Sequence, residues 1–322
     1  MKLNLIDKKL LKELDTNCRR PLSQIAKLVR ISQPGLLYKM KQFKNEGIIP
    51  FYYTIINTSV FGYSFYRLMI RFQSTTKQKE EEIIKKIMDN KNIFWISRCS
   101  GRFDLIIDIM AKNIIEADEI INKIISQNFR FISQKEIAII VKSWQFNRSF
   151  LLDNVKKIEF KRSYGGVSPK IKLDELDKLI LKNISNNPLQ KNIDLAEKLK
   201  VDRNTIKNRI NRMIKDQIII DFRAWLEMST LKFHSYKLLV RLNRIKPEAE
   251  EKILSFAKEN KNIIYFNKIL GEWEYEFDIE TENENEFERI LIDIKNKFSV
   301  EIKDFEILKI TKNYKLNYLP TI

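Results

Sequence analysis

The chain has 322 residues, 44% hydrophobic and 31% charged, with a formal net charge of +17. That length holds two to four small domains. Lys2, Asp7, Lys8 and Lys9 interrupt any leader-like run, and no uncharged apolar stretch reaches the ~18 residues of a membrane span, so neither a signal peptide nor a membrane helix is expected.

Cys18 and Cys99 lie far apart without CxxC-type spacing, which predicts no disulfide framework and no metal site and suits a cytoplasmic protein. The charge is uneven. Residues 1–170 carry 31 basic and 16 acidic side chains, the remainder 28 and 26. A localised basic excess points to a polyanionic partner, nucleic acid above all. A lysine-rich composition without functional meaning would spread the charge more evenly.

In chain order, residues 5–16 place Ile6, Leu10, Leu11 and Leu14 at helical spacing. Pro21 opens a short helix expected to bury Ile25, Ala26 and Leu28, and Arg30–Ile31 form a turn. Ser32 is suited to cap a third helix, whose Leu36, Met40 and Phe43 recur at i, i+4 and i+7 and which stops at Gly47. Two helices joined by a tight turn, the second capped and polar outside, describe a helix-turn-helix. Its candidate DNA-binding residues are the exposed Ser32, Gln33, Tyr38, Lys39, Lys41 and Gln42, with Lys39 and Lys41 suited to neutralise phosphates. Residues 48–57 read as a connecting strand or wing.

From Tyr63 to Ala111 and on to residue 142 the pattern is strand, helix, two strands about Ser100-Gly101-Arg102, helix, strand. This βαββαβ order is ferredoxin-like and leaves one sheet face needing cover. Residues 154–171 hold Lys156, Lys157, Lys161 and Arg162 and then Tyr164-Gly165-Gly166-Val167-Ser168-Pro169, which predicts a flexible basic linker.

The chain then repeats itself. An offset of 170 aligns Asp7 with Asp177, Ala26 with Ala196, Arg71 with Arg241, Gly101 with Gly271 and Asp108 with Asp278. The expected fold is therefore α+β: winged helix-turn-helix domains at 1–60 and 172–230 alternating with ferredoxin-like domains at 61–153 and 231–322. In the second copy Leu176, Ile180 and Leu181, then Leu195, Ala196 and Leu199, then Ile206, Ile210 and Met213 are the inward positions. Asp202 caps a helix whose outer face offers Arg203, Asn204, Thr205, Lys207, Asn208, Arg209 and Arg212. Arg and Asn side chains there suit bidentate reading of guanine and adenine edges. The acidic segment Glu272 to Glu288 reads as a solvated surface.

These elements resemble the Lrp/AsnC (leucine-responsive, feast/famine) regulators. The matches are Leu5-Ile6-Asp7, Ile25-Ala26, Ile31-Ser32, Glu46-Gly47-Ile48-Ile49, Phe61-Gly62-Tyr63 and Gly101-Arg102-Phe103-Asp104. The second copy departs at Gln217, where glycine is usual, and at Glu274, where aspartate is. The resemblance implies a covalently fused pseudo-dimer that binds double-stranded DNA, pairs its two sheet domains, and can assemble further. It also implies an amino-acid effector near Gly101, Asp104, Gly271 and Glu274.

Siroheme decarboxylases resemble the same architecture. Their tetrapyrrole chemistry would call for basic residues and histidines; the net positive charge suits an anionic tetrapyrrole, but His234 is the one histidine here. No GxGxxG, GxxxxGK[ST] or HExxH signature is present, so no cofactor and no catalytic residue are expected. An architectural DNA-binding protein of low specificity is the remaining alternative.

Overall fold

The computed structural model describes residues 3–152, 163–166, 171–243 and 247–320. The first unit runs α1 (Leu5–Asn17), α2 (Leu22–Val29), α3 (Gln33–Asn45), β1 (Tyr52–Ile56), β2 (Ser64–Phe72), α4 (Lys77–Met88), β3 (Ile93–Ser100), β4 (Leu105–Ala111), α5 (Ile114–Asn128) and β5 (Ile132–Gln145). After β6 (Ser163–Gly165) the plan repeats: α6 (Glu175–Ile184), α7 (Asn192–Leu199), α8 (Arg203–Lys215), β7 (Ile219–Ala224), β8 (His234–Leu242), α9 (Pro247–Glu259), β9 (Ile263–Leu270), β10 (Tyr275–Thr281), α10 (Glu284–Lys297) and β11 (Ile302–Leu316). No described helix is long and apolar enough to cross a membrane.

Capping chemistry sets the helix starts. Asn4 and Asp7 form a capping box on α1, and Asp174 and Asp177 do the same on α6. Within α2, Val29 is buried and Leu28 is 52% exposed, so the inward stripe lies one residue later than the spacing predicts. At the end of α8, Gln217 adopts φ 56°, the left-handed turn that Gly47 makes at φ 71° in the first unit. The same backbone turn is thus kept at a residue for which it is strained.

The two units do not stand side by side as separate domains. β1 pairs antiparallel with β7, Tyr52 opposite Ala224, so the expected wings are consumed in a ribbon shared by both copies. The sheets order as β2-β4-β3-β11-β8-β10-β9-β5-β6, and β2 also pairs with β5. Eight strands therefore close on themselves. The seams are related by the repeat: Cys99 faces Ile310 and Ile140 faces Ile269. Each sheet covers the other's open face, and a closed barrel leaves no free strand edge.

Alternation along the strands sorts the cores. Tyr66, Leu68 and Ile70 pack outward under α4 and α5, and Leu238, Val240, Phe277 and Ile279 outward under α9 and α10. Phe65, Met69, Ile106, Leu239 and Leu308 point into the barrel, whose core is continuous with that of both helical domains.

The linker expectation needs correction. Ser163–Gly165 is a strand on β5, Lys142 opposite Gly165, and Tyr164 is buried with its hydroxyl 3.0 Å from that of Tyr318. Two glycines with positive φ, Gly165 at 89° and Gly166 at 74°, let the chain turn against the Val141 carbonyl. Lys156, Lys157, Lys161, Arg162 and the Val167-Ser168-Pro169 part lie outside the described residues.

Candidate nucleic-acid interface and barrel interior

Both helix-turn-helix motifs form as their residues predict. The turns close with left-handed Arg30 (φ 65°) and Lys200 (φ 54°), each the last residue of its second helix's cap. Ser32 accepts from the Gly35 N–H at 3.2 Å, and Asp202 accepts from Asn204 and Thr205 at 2.6 and 3.1 Å. These caps satisfy the first backbone donors of α3 and α8.

Part of the expected reading face has other work. Lys39 Nζ lies 2.5 Å from a carboxylate oxygen of Asp7, which is buried at the start of α1. One repeat later, Arg209 bridges Asp174 and Asp177 (3.2 Å to the latter), and Arg212 also pairs with Asp177. A buried carboxylate needs a counter-charge, so these three cations brace the first helix against the third. The backbone N–H of Asp177 and the Arg209 guanidinium hold the Asp174 carboxyl below its usual range. Gln42 donates to Glu46 at 2.9 Å.

The side chains left facing solvent differ between copies. On α8 they are Arg203, Asn204, Lys207 and Asn208, with Thr205 half-buried. No ion pair of those side chains occurs among the described residues. On α3 they are Gln33, Leu37, Tyr38 and Lys41, with Leu37 51% and Tyr38 71% exposed.

The spacing of the two motifs is fixed by contacts between copies. The Thr54 N–H donates to Ser185 O at 2.8 Å, Cys18 N–H to Phe222 O at 2.9 Å and Asn57 N–H to Ile218 O at 2.9 Å. Arg19 reaches Gln190 O at 2.9 Å and Asn192 Oδ1 at 2.6 Å. Backbone bonds of this kind join the motifs as one body rather than through a loose tether.

The hairpin residues Gly101, Asp104, Gly271 and Glu274 are not among the residues that line the cavity inside the barrel. Asp104 accepts from the Phe72 N–H, and Glu274 from the Leu242 N–H, each at 2.8 Å. A Cβ on Gly101 would meet Ile307 O at 2.7 Å, and one on Gly271 would meet Ala138 Cβ at 3.0 Å. The glycines permit the close approach of the sheets, and the carboxylates end the strands.

Close by, Glu136 is buried beside Glu272. Burial and that neighbour push its carboxyl up to about 7, while Arg102 and Glu136 itself hold Glu272 at about 2.

The acidic segment from Glu272 is the main departure from the sequence reading. Glu276 and Glu280 are not solvated; they are buried on the inward face of β10, with Asp278 half-buried between them. Arg67 holds Asp108 by two bonds of 2.6 Å and also binds Glu276. Lys237, one repeat after Arg67, sits 2.8 Å from Glu276 and 2.5 Å from Asp278. Toward the helical domains, Arg148 bonds Glu280 and Asp15 at 2.7 Å, and Arg223 bonds Asp15 at 2.6 Å. The clue was in the sequence: acids at 272, 274, 276, 278 and 280 recur with the period of a strand, and the closed barrel makes their face an interior.

With this geometry in view, residues 3–49 and 173–220 match a family described as winged helix-turn-helix DNA-binding. The chain is thus two winged helix-turn-helix units in tandem, each followed by a ferredoxin-like domain. Among its relatives is the HTH-type transcriptional regulator FL11 of Pyrococcus abyssi, 23% identical over 123 residues, 38% of this chain and 80% of that protein. An uncharacterized HTH-type transcriptional regulator of Pyrococcus furiosus is 23% identical over 150 residues, 46% of this chain and 99% of its own length.

Among solved structures, the siroheme decarboxylase NirDL has a TM-score of 0.61 at 14% identity, covering 97% of this chain and 93% of that one. That likeness establishes a shared fold over nearly the whole length of both chains.

Proposed function

We propose that the chain is a sequence-specific DNA-binding transcription regulator working as a covalent pseudo-dimer. One observation carries the reading: α8 presents Arg203, Asn204, Lys207 and Asn208 to solvent on a capped second helix. These are the residue types that bond base edges in a major groove. Support comes from the HTH-type transcriptional regulators among its relatives, and from the bonds that tie both motifs together. Because α3 and α8 offer different side chains, the favoured site is two unlike half-sites rather than a palindrome.

The tetrapyrrole-enzyme reading rests on fold likeness. His234 stands at the start of β8 with its ring 6.3 Å from that of Tyr236, and the barrel cations Arg67 and Arg148 are paired with carboxylates. Such an interior offers little to a ligand that itself bears carboxylates.

The test is binding to the DNA upstream of the gene against a scrambled duplex at about 50 and about 200 mM salt. Preference for the upstream duplex that survives the higher salt is the expected result. Equal and salt-labile binding to both would replace the reading with an architectural one. Absence of DNA binding, joined with a spectral shift on titration with an iron tetrapyrrole, would replace it with the enzyme.

A further inference from the structure

The barrel encloses a cavity of about 130 Å³, lined among others by Phe65, Trp95, Tyr265, Asn267, Asp108 and Asp278. Exposed Ser229 and Lys312 mark its mouth. By the volume that one enclosed water occupies, it has room for about ten water-sized groups.

Its electrostatics are unbalanced in one place. Toward the helical domains Arg148 and Arg223 face Asp15 and Glu280, two charges against two. Deeper in, Arg67 and Lys237 face three carboxylates: Asp108, Glu276 and Asp278. Glu276 takes bonds from both cations, and Asp108 takes two from Arg67. Asp278 is left with a share of Lys237 alone, and its side chain keeps 27% of its surface open. Asn267 donates its amide to Glu276, and its Oδ1 is buried with no donor among the described residues. A surplus carboxylate and an idle acceptor oxygen thus line the same aromatic-walled space. A half-buried charge short of counter-charge and a buried acceptor both call for a partner.

We propose that this cavity binds a small organic ammonium ion, a primary amine on a short apolar chain, with Asp278 as counter-ion and Asn267 Oδ1 as second acceptor. The ammonium supplies donors to both oxygens, and Phe65, Trp95 and Tyr265 take the apolar chain; the Trp95 ring is already faced by Arg67 and Lys237, so the charge of the ligand is met by the carboxylate and not by that ring. An amino acid fits less well, because the paired cations leave its carboxylate without a partner. The site stands apart from DNA reading: the cavity accepts the amine or not, whatever α8 touches. Burial, together with Glu276, lifts the Asp278 carboxyl to about 6 against the pull of Lys237. Binding should therefore weaken as pH falls through that value, while Arg67 and Glu276 keep their charges.

The test is calorimetric titration of the full chain with n-butylamine hydrochloride, n-butanol and sodium butyrate at about pH 7.5. Saturable binding of the amine, at least about tenfold tighter than either analogue, is expected, with a loss of about tenfold in Asp278→Asn. That substitution removes a charge that burial disfavours, so the variant should fold, and circular dichroism checks it. The comparison of the three ligands on the unaltered chain stands without the variant. Butyrate or butanol binding as tightly as the amine, no saturable amine binding, or equal affinity in a folded Asp278→Asn variant would each overturn the proposal.

Discussion

The two copies place different chemistry on the same frame, and the third helix and the fourth-position strand of each show how. On α3 the outward residues include Leu37 and Tyr38, whereas on α8 the same positions are Lys207 and Asn208. On β4 the inward residues are Ile106, Asp108 and Met110, whereas on β10 they are Glu276, Asp278 and Glu280. What the copies share is bracing: Lys39 and Arg209 both clamp the first helix, Asp104 and Glu274 both cap a strand, and Arg67 and Lys237 both enter the barrel. The frame is repeated because it must pack against itself. The facing side chains are free to diverge because a fused pair, unlike a symmetric dimer, needs no identical surfaces.

The sharpest way to break the comparison is in the barrel. Arg67→Met leaves Asp108 and Glu276 buried with less counter-charge, and should cost about 3–5 kcal/mol in chemical unfolding. Lys237→Met should cost less, because Asp278 can take a proton there. Equal losses would mean the two cations are interchangeable.

Next comes the DNA face. Arg203→Ala and Asn208→Ala should each reduce preference for the upstream duplex by about 1–3 kcal/mol in competition binding. Tyr38→Ala should do less than either. If Tyr38→Ala costs more, α3 and not α8 is the principal reader.

The braces give a smaller effect on a different observable. Lys39→Ala should lower stability by about 1 kcal/mol, since its partner is buried but its own chain is partly solvated, and should leave the salt slope of binding unchanged. A flatter slope would return Lys39 to the phosphates.

pH gives a direct check of the hairpin end. Glu136 is raised to about 7, above the unfolded carboxyl value of 4.5, so folding takes up a proton there. Its contribution therefore favours the fold at low pH and is lost as pH rises from about 4.5 to about 7. Glu136→Gln should flatten the melting temperature across that window, by a few degrees at most. The smallest change is Gln217→Gly, expected to add about 1 kcal/mol or less because glycine adopts the positive φ without strain. Gly47→Gln should lose a similar amount.

Much of the architecture was legible in single residues. Ser32 and Asp202 marked helix starts, Gly47 a helix end, and the constant offset from Asp7–Asp177 to Asp108–Asp278 announced two copies of one unit. The DNA-facing set was legible only in part. Spacing alone shows that Lys39, Arg209 and Arg212 lie on the outer side of a helix. Their partners Asp7, Asp174 and Asp177 are about thirty residues away in sequence, so their commitment shows only once α1 and α6 are packed. Leu28 and Val29 differ for a related reason, since a helix of eight residues leaves the phase of its stripe to whatever packs on it.

The sequence by itself determined the local elements, the repeat and the identity of the exposed α8 residues, because caps, turns and periodicity act over a few neighbouring positions. Only the tertiary structure decided that the wings pair with each other, that Tyr164 folds into the barrel, and that Glu276 and Glu280 are interior. Strand alternation says that two faces exist but not which one is wet, and that choice was made when the two sheets closed on each other.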